Sequence, residues 1–381
     1  MFYLYYVLYK TVVHNELQGF KTTKVVSDFM KKYLALIVLL LLVGCSVEES
    51  QIVVGGLFAL TGYGSEWGEA ELKGVTLAFE EYDDKFTLKV EDMQSDNKMA
   101  VLATQKLIDF DDVVGIVGST WLESYQGAAV VANDRNVPMV TPSGSITALQ
   151  NTRNYNHVFS TWYRTDSQVH ELLSDMKSKD IDTIELFLGN EAYWEDFSNS
   201  FHLYSSDYNI AIIGESKFDY GTVDYRTSLA KVSADAIFFG LNGEQEVFSF
   251  LKQRKELLPE VVLYTESSIE GFAMRKDFDD VLDDIYMVSP AMPDEEFIEY
   301  YTLRWKEPPV LDSANAYDAA KLLLEAIDAV GTSSDEIVDY IRDNSFDTVT
   351  FGEVSFDEMG GVIGGDFQIK YLDNGSLLKK S

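Results

Sequence analysis

The chain has 381 residues, 46% of them apolar, and its 63 acids against 30 bases give a net charge of −33. A charge of that sign and size repels nucleic acid and anionic headgroups, so both are excluded as electrostatic partners. A single cysteine excludes an internal disulfide, so the fold must rest on core packing, for which this length and apolar content suffice.

Residues 1–29 mix aromatics (Phe2, Tyr3, Tyr5, Tyr6, Tyr9) with scattered charges and have no period of their own. They are expected to be an upstream extension, with Met30 the true start. Lys31 and Lys32 then precede an apolar run from Leu34 to Val43, which closes on Leu42-Val43-Gly44-Cys45. The run is too short for a bilayer span, which takes about 20 apolar residues. It reads as an export signal over residues 30–44. The order leucine, small residue, glycine, cysteine resembles a lipobox, which implies cleavage before Cys45 and a diacylglyceryl group on its sulfur. The alternative is an ordinary signal with a small buried cysteine. Two acyl chains on one residue suffice for stable anchoring, so residues 45–51 are expected to be a lipidated tether on the outer face of the cell membrane.

From Ile52 onward, strand-like runs alternate with segments of helical period. Strands are expected over Ile52–Ala59, Thr87–Asp92, Val113–Val117, Pro138–Thr141, Thr183–Leu188, Ile210–Gly214, Ala236–Gly240, Val261–Thr265 and Ile285–Val288. Between them, helices are expected over Gly68–Tyr82, Met99–Phe110, Leu122–Asn133, Gln168–Lys177, Glu244–Lys255 and Ala314–Ala329. Asp96, Ser167 and Ser333 stand where helix caps belong. The alternation predicts an α/β fold of parallel sheets flanked by helices. With no flexible linker in the sequence, the expected form is two similar lobes between which the chain crosses more than once. Ligands of such lobes sit in the crevice at the carboxyl ends of the strands.

Enzyme signatures are missing from the sequence. His14, His157, His170 and His202 lack zinc spacing, and neither a G-x-S-x-G elbow nor a Walker loop is present. The acidic runs Asp109–Asp112 and Asp277–Asp284 lack the glycine and ligand spacing of a calcium loop and read as solvated faces. Gly62-Tyr63-Gly64-Ser65-Glu66-Trp67-Gly68 is near a dinucleotide fingerprint, but its third glycine is one place late and its aromatics crowd the backbone. It reads as a turn presenting aromatics and free amides to a small ligand. No enzyme activity, cofactor or metal is expected.

The runs IVVGGLFALTGYGSEWGEAELKGVTLAFEE, VEDMQSDNKMAVLATQKLI, VVGIVGSTW, VPMVTPSGS and AYDAAKLLLEAI, in collinear order from Ile52 to the C-terminus, resemble the type 1 periplasmic binding proteins. The resemblance is to the branched-chain amino-acid receptors of ABC transporters. It implies two Rossmann-like lobes joined by a three-strand hinge, closing on a ligand and passing it to a permease. Lobe 1 would be residues 52–160 plus 287–350, and lobe 2 residues 161–286 plus 351–381. The crossings would fall near Ser160–Tyr163, Ile285–Pro290 and Phe351–Phe356.

The same resemblance implies site residues. Ser143 and Ser145 of Thr141-Pro142-Ser143-Gly144-Ser145 match a first-lobe loop that holds the ligand carboxylate, although Ser145 also suits a helix cap. Glu266, closing VVLYTE, matches the acid that holds the ammonium. Tyr193 and Trp67 match aromatic positions at the ligand, with core packing as the alternative for both. In two places the chain departs from the pattern: the family serine that binds carboxylate falls at Leu122, and an aromatic position is Asn242. Ser119, Thr120, Ser124 or backbone amides are the available compensation, and Trp121 is placed to stack on the ligand. The expected function is an exported solute receptor of an ABC importer, binding an amino acid or related small polar molecule. Its alternatives are a ligand sensor acting through a membrane partner, or a receptor for another ligand such as an amide.

Overall fold

The computed structural model describes residues 51–381 except 83, 147–148, 150–154, 242, 271–279, 291–294, 366, 374–375 and 380–381. The expected leader, Cys45 and Asn242 lie outside the described residues.

Two parallel-rich layers follow one another along the chain. The first sheet has the order β2-β1-β3-β4-β5 and is wholly parallel. Its strands are β1 (Ile52–Phe58), β2 (Phe86–Asp92), β3 (Ile116–Gly118), β4 (Met139–Thr141) and β5 (Val158–Ser160). Helices α1 (Ser65–Glu80), α2 (Asn97–Asp109) and α3 (Leu122–Asp134) make the crossovers. β3, β4 and β5 are buried throughout, as strands covered on both faces must be.

After β5, α4 (Thr165–Ser178) packs Val169, Leu172 and Leu173 into the core of a second sheet. That sheet contains β6 (Thr183–Gly189), β7 (Ala211–Phe218), β8 (Ala236–Gly240), β9 (Val262–Glu266) and β10 (Ile285–Pro290). α5 (Ala192–Tyr204), the short α6 (Arg226–Leu229) and α7 (Glu244–Leu257) flank it. The edge strand β7 alternates exposed and half-buried residues, while β8 inside the sheet is fully buried.

The chain then returns to the first core through α8 (Glu295–Trp305), α9 (Leu311–Val330) and α10 (Ser334–Asp343). Three short antiparallel strands follow, β11 (Phe346–Thr348), β12 (Gly352–Phe356) and β13 (Val362–Gly364). Finally β14 (Phe367–Asp373) and β15 (Ser376–Lys379) close the second sheet, β14 antiparallel to β10 and β15 antiparallel to β14.

Several expectations need adjustment. The parallel alternation stops before the C-terminus, because the tight connection from β12 to β13 permits only antiparallel pairing. That connection is built on Asp357, whose Oδ1 accepts from the amides of Met359 (2.9 Å) and Gly361 (2.8 Å). By sheet membership the transitions fall after Ser160, after Pro290 and after Gly364. The last is later than Phe351–Phe356, because Val354 and Phe356 pack into the first core, Phe356 edge-on to Phe159 at 5.5 Å. Asp96 caps α2 through its carboxylate, bonding Lys98 and Met99 amides. Ser167 is not a cap: α4 begins at Thr165, with Arg164 paired to Asp166 and Asp357. Ser333 holds the cap position of α10 without a side-chain bond.

One glycine sets the geometry used below. A Cβ on Gly74 would lie 1.9 Å from the carbonyl oxygen of Ser313, so only glycine lets α1 press against the start of α9. Glu71, one turn earlier, is thereby brought beside Asp312.

Candidate functional site

The carboxyl ends of the strands in both sheets carry the polar groups singled out by sequence. In the first layer, Ser143 follows β4. Its amide donates to Thr141 Oγ1 at 3.3 Å, and its hydroxyl donates to Glu71 Oε1. Ser145 is fully buried in the same loop. Glu71 has 0% exposure, and its second oxygen makes no hydrogen bond among the described residues. Burial pushes its carboxyl up to about 8, the Asp312 charge adding to the rise while the Ser143 and Thr120 hydroxyls oppose it.

In the second layer, Glu266 ends β9 at 1% exposure. Its Oε2 accepts from the Ser268 amide (3.0 Å) and the Ser267 hydroxyl (3.2 Å), whereas Oε1 has no partner among the described residues. Burial raises this carboxyl to about 7, its hydrogen bonds to Ser268 and Ser267 pull back, and Asp312 adds a smaller upward push. Asp312 itself, in the first turn of α9, is raised to about 6 by burial. Since Asp312 acts on both Glu71 and Glu266, the three carboxylates share one electrostatic neighbourhood. No lysine or arginine figures among the groups shifting any of them.

Aromatics complete the second-layer wall. Tyr163 is buried, bonds Ser267 through its hydroxyl and stacks on Trp162 at 4.6 Å. Tyr193 sits in the first turn of α5, edge-on to Trp194 at 4.8 Å and to Phe197 at 5.4 Å. Burial raises its hydroxyl well above the ordinary range, with Glu266 and Tyr163 adding repulsion and Trp162 and Gln168 close by. The Tyr193 hydroxyl, Trp162 Nε1 and the Gln168 amide face one another, and with Thr165 Oγ1 they are sealed from solvent without a hydrogen bond of good geometry among the described residues. Folded proteins leave few buried polar atoms unpaired, each costing about 1–3 kcal/mol. Such a concentration lies beside Glu266.

The other expected residues fall elsewhere. Leu122 opens α3 at 2% exposure and packs in the first-layer core with Tyr125 and Ile146, beneath the Gly144 backbone. The neighbouring hydroxyls are already engaged: Ser119 pairs with Ser124 at 2.7 Å, and Thr120 accepts from the Ala59 amide at 2.9 Å. Trp121 is packed on Gly64, stacked on Tyr63 at 5.1 Å and within 3.4 Å of Asn97 Oδ1. Trp67 is 41% exposed on α1. The Gly62–Gly68 turn thus displays Tyr63 towards Tyr220 of the second layer, their ring centroids 6.1 Å apart. Glu123 Oε1 accepts from the Ala192 amide at the start of α5, a second contact between the layers.

Glu71, Asp312, Trp162 and Gln168 were not picked out by sequence. Glu71 and Asp312 lie in helices rich in acids, and only the α1 against α9 contact made by Gly74 distinguishes them from solvated neighbours. Buried His157 lies 3.6 Å from exposed Asp335, and exposed His202 lies 2.8 Å from Glu215. Among the described residues no group of three or more His, Cys, Asp and Glu is placed to hold a metal ion.

Two α/β layers with buried polar groups converging at the ends of their strands make a receptor for a small ligand. The periplasmic binding protein family model matches residues 51–375, and the chain belongs to that extracytoplasmic family. Solved structures share its fold. The branched-chain amino acid transporter substrate-binding protein LivJ from Streptococcus pneumoniae, solved with isoleucine, is 22% identical with a TM-score of 0.75, over 86% of this chain and 98% of that one. The leucine-binding protein LivK from Thermotoga maritima is 20% identical with a TM-score of 0.77, over 87% and 98%. A solute-binding protein of an ABC transporter from R. palustris, in complex with benzoate, is 17% identical with a TM-score of 0.75, over 87% and 95%. No curated protein matches the chain.

Proposed function

We propose that this protein is the solute receptor of an ABC importer, without catalytic activity, holding one small polar organic molecule between two lobes that close on it. One lobe is built on the first sheet with α8–α10 and β11–β13, the other on the second sheet. The observation that carries this reading is the buried Glu266 oxygen with no partner among the described residues, beside the sealed Tyr193, Trp162 and Gln168 polar groups. A ligand ammonium placed there would pair the carboxylate only in the closed form, which couples binding to closure.

Ser143, Glu266 and Tyr193 are the sequence-chosen residues this reading keeps at the ligand, with Ser145 supporting their loop. Leu122 and Trp121 act as packing residues within it, and Trp67 stays exposed on α1. Lipidation of Cys45 and delivery to a membrane permease complete the proposal. Its test is a thermal-shift screen of the purified protein against amino acids, amides, amines and organic acids, since a ligand of the native state raises the melting temperature by mass action. A saturable shift from one chemical class, abolished by Glu266→Gln, is the expected result. Shifts insensitive to Glu266 would remove the site from this place.

A further inference from the structure

The receptors of known cargo that share this fold include one solved with isoleucine, and a free amino acid needs a partner for its carboxylate. The first layer here offers the opposite. Where the Ser143 loop faces the site, its hydroxyl is already given to Glu71, a fully buried acid whose second oxygen is unpaired among the described residues. Asp312 adds a second negative group from the start of α9, and Asn315 beside it leaves a carbonyl oxygen, another acceptor, without a partner. Lys370, a buried cation of the second layer, is held at 2.7 Å by Glu270 and at 2.7 Å by Ser289. Leu122 contributes only carbon, Ser119 and Ser124 bond within their own loop, and the Thr120 hydroxyl accepts from the Ala59 amide and stands beside Glu71. Hydrogen-bond acceptors thus dominate the Glu71 end, while at the Glu266 end the carboxylate stands beside the Tyr193, Trp162 and Gln168 donors.

We propose that the ligand bears no carboxylate and meets this site with N–H donors at both ends, an amine whose far end is a second amine or an amide, one nitrogen at Glu266 and the other at Glu71. This assignment rests on the receptor reading above and names its cargo class. Glu71 is the specificity-determining residue. An α-carboxylate set against Glu71 and Asp312 would hold those acids to their protons or meet their negative charge, and among the described residues no cation figures among the groups acting on them. An N–H donor instead pairs the unpaired Glu71 oxygen and leaves the Ser143 bond intact.

The test is calorimetric titration of the purified protein with matched sets that differ only at the far end: L-leucine, L-leucinamide and isopentylamine, the phenylalanine counterparts, and 1,4-diaminobutane. At least one amide or amine is expected to bind on the order of 100-fold tighter than its parent acid. Glu71→Gln, which keeps an oxygen for Ser143, is expected to cut that preference to within a few fold while the far-ultraviolet spectrum and melting cooperativity stay unchanged. Should Glu71→Gln not fold, Asp312→Asn provides the same readout with a smaller loss of preference. An amino acid binding as tightly as its amide overturns the inference and leaves the receptor reading standing. Preference unchanged in both variants also overturns it. Absence of binding by every member of the sets, acids included, overturns the receptor reading with it.

Discussion

Replacing Glu266 by glutamine separates the stability cost of the site from its binding role. In the folded protein burial raises this carboxyl to about 7, whereas in the unfolded chain it titrates near the ordinary value of 4.5. Between those values the native state keeps a proton that the unfolded state has lost, so stability must fall as pH rises. The loss grows by 1.36 kcal/mol per unit and reaches about 3 kcal/mol by pH 8. Glutamine has no proton to lose and retains an acceptor for the Ser268 amide. Without ligand, Glu266→Gln should match the wild type near pH 4.5 and exceed it by up to about 3 kcal/mol at pH 8. Urea unfolding of ligand-stripped protein at pH 5, 6, 7 and 8 measures this directly. A stability difference that stays constant with pH would refute the burial of an ionisable, unpaired carboxyl at this position.

Other consequences are equally direct. Binding of an amine displaces protons from Glu71 and Glu266, raised to about 8 and about 7, so affinity should rise between pH 6 and pH 8 by roughly tenfold per unit for each proton displaced; calorimetry in buffers of different ionisation heat counts those protons. Gly74→Ala drives a methyl into the Ser313 carbonyl, which the backbone of α9 must yield to; a loss of about 1–3 kcal/mol in chemical denaturation is expected, with weaker ligand binding. Leu122→Ala should cost about 2–5 kcal/mol of stability and leave ligand selectivity unchanged, as suits a core residue. Glu123→Ala removes the contact to the Ala192 amide and should destabilise the closed form by about 0.5–2 kcal/mol, seen as a larger radius of gyration in scattering from the ligand-bound protein.

Much of the fold was legible because its signals are local. The alternation of buried strands with amphipathic helices from Ile52 to Val288 places most elements to within a few residues, although β5, α5 and the short α6 were not among those expected, and Asp96 caps α2 as its side chain requires. Less legible was the C-terminal quarter, where β11 to β15 are short and their pairing is set by turns such as the one on Asp357 rather than by period. At the site, Glu266 and Ser143 were picked out by the family resemblance, and both lie at strand ends. Glu71 was not, since an acid in a helix looks solvated until a contact far along the chain buries it. That contact depends on Gly74 meeting Ser313, more than two hundred residues away, and no pattern within α1 announces it. For Trp67 and Trp121, aromatics beside a glycine-rich turn suggest a ligand wall; the first is 41% exposed and the second packs on Gly64.

The central claim is a receptor that holds one small molecule and releases it unaltered. Native mass spectrometry of the protein, taken first as purified and again after incubation with the acid, amide and amine sets, tests it most directly. The account predicts a single adduct per chain, of small-molecule mass, lost from Glu266→Gln and recovered chemically unchanged on unfolding. An adduct insensitive to Glu266, a ligand recovered in altered form, or the absence of any adduct across all the sets would contradict it.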